Sequence, residues 1–373
     1  MIIGVLKEIK PNEYRVAATP ATVMEIVSRG HKVLVQKDAG FGCGYTDADY
    51  EKAGATVLET AKEVYESADL FYKVKEMFPE EWQYMNEKKI VYTYIHSNAH
   101  PEETDAILSS KVTAIAYEDI TDNEGNFPLL KPMSILAGKG GMLAAMHHMQ
   151  SVFGGGGVLL ANVCGIEAPV VTIIGAGNSG VAAAEIAAGL GNNVRILDVN
   201  VKALEKAKAS LPSNVSYMYS NRENLVKCLK DSDVILNCIL WPKHRKDHLI
   251  NREDLKMMKP SAMIVDVACD DEGAVETCRS TTHDDPVYYE EGILHYCVDN
   301  IPSAFAKTAS IMLSNSTLPI LLEIANKGVK QALKDNVHLR NGLTAYDGKL
   351  TLKETALKQN RPLTDVNELV KSF

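Results

Sequence analysis

Two successive series of short, β-branched apolar runs, each run separated from the next by a helix-length stretch, constrain this chain more than any other feature. The first series reads "IIGVL", "HKVLVQ", "DLFYKVK", "KIVYTYIH" and "VTAIAYE"; the second reads "VVTII", "NNVRILDVN", "SDVILNCIL" and "SAMIVDVAC". Such alternation predicts parallel sheets with crossover helices. The near-continuous apolar runs of the second series predict a sheet covered by helices on both faces. The expected fold class is α/β, with two Rossmann-like doubly wound domains, a cleft between them, and one domain inserted in the other. At 373 residues the chain exceeds the usual span of a single hydrophobic core. The predicted division assigns residues 1–130 to the first part of one domain, 131–303 to the inserted domain, and 304–373 to a segment that returns to the first. Between the series, "MSILAGKGGMLAAMHHMQSV" predicts a helix and "FGGGG" (153–157) a flexible link. In the return segment, "TASIMLSNSTLPILLEIANKG" predicts an apolar helix suited to burial in a core or between domains or subunits. Asp347-Gly348 predicts a hairpin.

Composition narrows the function classes. A formal charge of -9 without a concentrated basic run disfavours nucleic acid and anionic membranes as partners. "MIIGVLKEIK" is too quickly charged for a secretory signal, and no apolar run is expected to reach the roughly 20 residues of a membrane span. A cytoplasmic protein is expected. The seven cysteines are scattered, with no Cys-x-x-Cys pair, which fits reduced thiols. The adjacent His147 and His148 diverge on a helix, so no metal site is expected.

The sharpest motif is Gly175-Ala-Gly177-Asn-Ser-Gly180, placed directly after "VVTII" and before the small-residue stretch "VAAAEIAAGLG". In that context Gly175 allows a tight turn, Gly177 lets backbone approach a pyrophosphate, and Gly180 lets helix pack on strand. The helix N-terminus supplies unpaired N–H groups and partial positive charge to the anion. Asp198 closes the next strand, where a carboxylate accepts from ribose hydroxyls and repels a 2′-phosphate. NAD is therefore the expected cofactor, against the plainer reading of a glycine turn with Asp198 as a helix cap.

The segments "GVLKEIKPNEYRVAATP", "VKE" (74–76), "PLLKPMS", the Gly175 motif, "MKPSAMIVDVA", "RSTTHDDP" and "HYCVDNIP" occur in an order that resembles the alanine dehydrogenase family. That family is itself similar to the nucleotide-binding subunit of proton-translocating transhydrogenase. The resemblance covers nearly the whole chain. It implies NAD-dependent, reversible oxidative deamination of L-alanine to pyruvate and ammonia, an amino-acid or 2-oxo-acid small-molecule partner, and a hexameric homo-oligomer. By correspondence, Arg15 and Lys75 bind the substrate carboxylate, Lys75 also polarises the carbonyl, His96 exchanges protons, and Asp270 is its catalytic partner, orienting the attacking water or the substrate nitrogen. A guanidinium suits a carboxylate through its planar fork. An imidazole suits proton exchange near neutral pH. The plain alternatives are an exposed loop arginine at position 15, a snorkelling lysine at 75, a structural histidine at 96, and Asp271 as the acid in place of Asp270. Lys73, two residues before Lys75, keeps the structural or solvated reading. Correspondence further implies cofactor contacts from Ser134, Ser220, Ile239, Leu240 and Asn300.

The chain departs from the family pattern at Ile135, at Trp241 to His248, at Asp271 to Val275 and at Asp299, all near the expected site. A larger or more polar amino acid therefore stays open as substrate. So do an opine- or saccharopine-type oxidoreductase and a non-catalytic transhydrogenase-like subunit.

Overall fold

The structure, a computed structural model, describes residues 1–242, 245–269 and 273–373. The first segment of the chain carries strands β1 (Ile2–Val5), β2 (Lys32–Gln36), β3 (Thr56–Leu58), β4 (Leu70–Tyr72), β5 (Ile90–Thr93) and β6 (Thr113–Ala116). The middle carries β7 (Val170–Ile174), β8 (Asn193–Asp198), β9 (Val215–Tyr219), β10 (Val234–Asn237), β11 (Met263–Asp266), β12 (Val287–Glu290) and β13 (Ile293–Tyr296). The return segment adds β14 (Leu343–Tyr346) and β15 (Lys349–Leu350). Two compact units result, Met1–Pro132 with Phe305–Phe373, and Met133–Ala304.

In the first unit the strand order is β15-β14-β6-β5-β4-β1-β2-β3, with β1 to β6 parallel and β14 antiparallel to β6. The order 3-2-1-4-5-6 of its parallel part is that of a doubly wound Rossmann sheet. The second unit repeats it as β9-β8-β7-β10-β11-β13, with β12 added antiparallel at the edge. In such sheets the chain order reverses between the first and fourth strands. Connections there leave to opposite faces and open a crevice beyond the carboxyl ends. That point lies between β1 and β4 in the first unit and between β7 and β10 in the second.

Local sequence explains the element ends. Thr19 caps the helix Pro20–Ser28 by accepting from the Thr22 N–H, and Pro20 occupies the first helical position, where no N–H is needed. Thr46 with Asp49 and Thr60 with Glu63 form reciprocal capping boxes. Asp347 and Gly348, both at positive φ, turn the β14–β15 hairpin. The run "FGGGG" is no loose link. A Cβ on Gly155 would lie 2.1 Å from the His148 carbonyl oxygen, and one on Gly156 2.4 Å from Ser261 Cβ. These glycines permit close backbone approach.

The return helix Ala306–Lys327 continues through Pro319. Together with the preceding turn it spans Ile301–Lys327, which is long and apolar enough by composition to cross a membrane, contrary to the sequence expectation. Its polar side chains nonetheless face the first unit's core. Ser310 Oγ accepts from the Val16 N–H at 2.9 Å, Thr317 Oγ1 bonds the Tyr72 hydroxyl, and the Tyr92 hydroxyl donates to the Thr317 carbonyl at 3.1 Å. Buried hydroxyls satisfied in this way mark a core helix of the first unit.

Candidate active site

In the first unit the loops leaving β1, β4, β5 and β6 carry the candidate substrate residues. Arg15, on the loop after β1, is only 3% exposed, and its guanidinium Nε donates to Glu13 Oε1 at 2.6 Å while Nη2 meets Glu13 Oε2. Glu13 also accepts from the Arg15 backbone N–H, so the arginine is oriented before any ligand arrives. Strand β4 stops at Tyr72, and Lys75 lies three residues beyond it, on a loop rather than in the strand that the apolar run predicts. Its ammonium is 12% exposed and 3.4 Å from Glu76 Oε2. Burial pulls its pKa down, Glu76 opposes this, and the cations of Lys10 and Arg15 pull it further down. Lys10, Arg15 and Lys75 thus stand beside the carboxylates Glu13 and Glu76, with Glu8 close enough to act on Arg15 and Glu118 on Lys75. The mutual repulsion of Lys10, Arg15 and Lys75, which adds to burial in lowering the Lys75 pKa, is relieved by an incoming anion.

Glu76 is the counterweight. Burial alone would raise its carboxyl, but Lys75 and Lys10 take it from an ordinary 4.5 to about 2. A carboxyl depressed on folding adds stability above its unfolded pKa and loses it as the pH falls through the folded value. The denaturant midpoint of the wild type should therefore exceed that of Glu76→Gln at pH 7, and the gap should narrow steadily as the pH is lowered from 5 towards 3. A gap that widened on acidification would contradict the pairing.

His96 stands three residues past β5 in the left-handed region, at φ 50°. Its ring lies parallel to that of Tyr94, with centroids 5.9 Å apart and planes 4° from parallel. Burial and the Lys75 ammonium push its pKa down, so the imidazole is neutral at pH 7. The side chain is 42% exposed, and water moderates this shift without reversing it. Glu118, just past β6, accepts from the backbone N–H groups of Ile95 (3.1 Å) and His96 (2.5 Å). Neither Glu13 nor Glu118 was found as a site residue from the sequence. The available signal for Glu118 was an acid closing the buried run "VTAIAYE".

Lys73 is buried completely, which excludes its solvated reading. Its ammonium lies 2.8 Å from Glu81 and 3.3 Å from Glu8. Burial opposes its charge, but Glu8, Tyr65 and Glu81 more than compensate and hold it well above its ordinary value. The two acids are unequal: burial lifts Glu8 to about 7 against the pull of Lys73, while Glu81 is the closer of the two to the ammonium.

In the second unit the glycine motif follows β7 as the sequence predicts. Gly175 has φ 106°, and a Cβ there would lie 2.7 Å from Ile239 Cγ2. A Cβ on Gly180 would lie 1.9 Å from the Gly175 carbonyl oxygen, whereas Gly177 faces open space. The helix Asn178–Gly189 begins at Gly177 without a side-chain cap, which leaves its first N–H groups for an anion. A dinucleotide pyrophosphate fits this cradle. Asp198 closes β8, and its Oδ2 accepts from the Ala176 N–H at 2.7 Å, tying the acid to the glycine loop. Ser220 follows β9 and donates its backbone N–H to the Asp198 carbonyl.

Ile239 and Leu240 follow β10; Ile239 packs beside Gly175, while Leu240 is 78% exposed. Asn300 lies beyond β13, buried, its carbonyl accepting from Ser303 Oγ. Ser134 sits in the helix Lys131–His148, one turn before Gly138 on the same face. Gly138 itself was missed by sequence reading. Its Cβ would stand 1.9 Å from the Ser179 carbonyl oxygen, so the helix carrying Ser134 touches the glycine loop only because this residue lacks a side chain.

Asp270 and Asp271 lie outside the described residues, as do Lys243 and His244. The remainder of the divergent loop packs on itself: Trp241 is buried, its indole N–H donates to the Asp247 carbonyl, and the Arg245 guanidinium sits 4.1 Å from its ring centroid.

This geometry defines a Rossmann-type, nucleotide-binding α/β protein whose other unit gathers cations, Arg15 among them buried, at a sheet's switch point. Residues 4–137 match the family described as "Alanine dehydrogenase/PNT, N-terminal domain" and residues 141–353 its C-terminal counterpart. The chain belongs to the alanine dehydrogenase/PNT family. It is 44% identical to an alanine dehydrogenase of Methanococcus maripaludis, covering 98% of each chain. It is 42% identical to that of Bacillus subtilis, over 95% of this chain and 94% of the relative. Among solved structures, an L-alanine dehydrogenase superposes with a TM-score of 0.92 at 37% identity, covering 96% of this chain and 99% of the other. A transhydrogenase from Sinorhizobium meliloti shares the fold, with a TM-score of 0.80 at 22% identity over 95% and 99% of the two chains.

Proposed function

We propose that this chain catalyses the NAD-dependent, reversible oxidative deamination of L-alanine to pyruvate and ammonia. The observation that carries this reading is the buried Arg15 and the half-buried Lys75 at the first unit's switch point, in a chain similar over its full length to alanine dehydrogenases. Bound NAD supplies the acceptor for the hydride that leaves Cα. Arg15 and Lys75 take the substrate carboxylate, and Lys75 polarises the oxygen that becomes the pyruvate carbonyl. Neutral His96 accepts the proton that must leave the ammonium before Cα can be oxidised. It then serves, with Asp270, the addition of water to the 2-imino acid and the departure of ammonia. Ser134, Gly175, Gly177, Gly180, Ser220, Ile239, Leu240 and Asn300 hold the dinucleotide in this reading. A cytoplasmic, hexameric homo-oligomer is the assembly that accompanies it.

Asp198 selects NAD over its 2′-phosphorylated form. Asp198→Asn keeps an oxygen for the Ala176 N–H but removes the charge, and it should weaken NAD binding by about tenfold or more. Titration of NAD into the folded variant checks this; unchanged affinity would remove Asp198 from the ribose site. Incubating the purified protein with L-alanine and NAD tests the reaction itself. NADH, pyruvate and ammonium should accumulate in equal amounts, and NADH without ammonium would contradict deamination.

A further inference from the structure

We infer that Glu118 is the positioning residue for His96, acting through the backbone that presents the imidazole. This rests on the proton-transfer role proposed for His96. The inference starts from the conformation of that residue. A non-glycine residue at φ 50° is strained and persists only where its surroundings hold it. The chain turns sharply there, with the Ala99 N–H donating to the His96 carbonyl at 2.8 Å and His100 Nδ1 standing 3.2 Å from the Ile95 carbonyl oxygen. Glu118 closes the other side. Its Oε1 accepts from both the Ile95 and the His96 N–H groups, and two adjacent amides pointing at one oxygen form an anion-binding concavity that fixes the turn.

The His96 ring nitrogen Nδ1 lies 3.6 Å from the same Oε1, too far for a hydrogen bond. The brace therefore works on the main chain, and the ring plane is set separately by the parallel Tyr94, whose hydroxyl is itself anchored to the Leu129 carbonyl. The Glu118 side chain is nearly enclosed. Without its oxygen, two buried amides would lose their acceptor and the left-handed turn its support. The imidazole would then move relative to a substrate still gripped by Arg15 and Lys75.

The test compares three variants of the full chain in the alanine reaction. Glu118→Ala should lower kcat about 10²-fold, the scale of a 1 Å misplacement, while KM for L-alanine stays near wild type. Glu118→Gln keeps an oxygen that accepts both amides and should recover kcat to within about fivefold. His96→Asn, a residue that tolerates the left-handed turn, tests the parent reading separately and should abolish turnover. Unchanged kcat in Glu118→Ala alongside an inactive His96→Asn would overturn the inference and leave the His96 role standing. Equal losses in Glu118→Ala and Glu118→Gln would also overturn it, since charge rather than an amide acceptor would then be what His96 requires. An active His96→Asn would defeat the reading on which the inference rests.

Discussion

Lys75→Ala is expected to lower kcat/KM for L-alanine by about 10³-fold, because in the proposed mechanism one ammonium both anchors the carboxylate and stabilises charge on the reacting oxygen. The functional loss should fall on turnover and substrate affinity. Glu76 keeps Lys10 as a partner at 3.2 Å but loses the cation that depresses its carboxyl most, so the denaturant midpoint at pH 7 should fall modestly, far less than in a variant that breaks the Lys73 network. NAD affinity should be unchanged, since the glycine cradle and Asp198 lie in the other unit. Steady-state kinetics with a parallel NAD titration separate these quantities. A variant that turned over alanine at close to the wild-type rate would remove Lys75 from the site.

Lys73→Ala should fail in the opposite way. Removing this ammonium leaves Glu8 and Glu81 facing each other in a dry core, and breaking one side of such a pair costs about 3–5 kcal/mol. Glu8 also accepts from the Val74 N–H, and Glu81 from the Phe78 N–H, so the network braces the loop that carries Lys75. Urea unfolding should show a large drop in midpoint, while the molecules that remain folded at low temperature keep turnover within a few-fold of wild type. A midpoint equal to wild type would mean that the buried triad adds nothing to stability.

The contrast between these lysines shows what the sequence could carry. Strand alternation places both of them at the end of one apolar run, and the α/β class, the Thr19 cap and the Asp347 hairpin all follow from such local patterns. Those patterns are short-range consequences of periodicity and turn chemistry, so they are legible without tertiary information. The partners are not. Glu8, Glu81, Glu13 and Glu118 are ordinary acids in the sequence, and burial beside a specific cation or amide is what gives each a role. Strand ends also misled: the apolar runs continue past Tyr72 and Thr93, but hydrogen-bonded pairing stops there, and Lys75 and His96 stand on loops. Gly138 was illegible for a similar reason, since only the approach of Ser179 makes its missing side chain matter.

The substrate claim is the one most exposed to the chain's departures around Trp241 and Ile135. Comparison of kcat/KM for L-alanine against serine, glycine, valine, leucine, glutamate and lysine, with saturating NAD, tests it most directly. L-Alanine should rank first by about tenfold or more, the discrimination expected when a small apolar pocket is filled by one methyl group and crowded by longer side chains. Another amino acid ranking clearly above alanine, or no amino-acid-dependent NADH formation at all, would contradict the account.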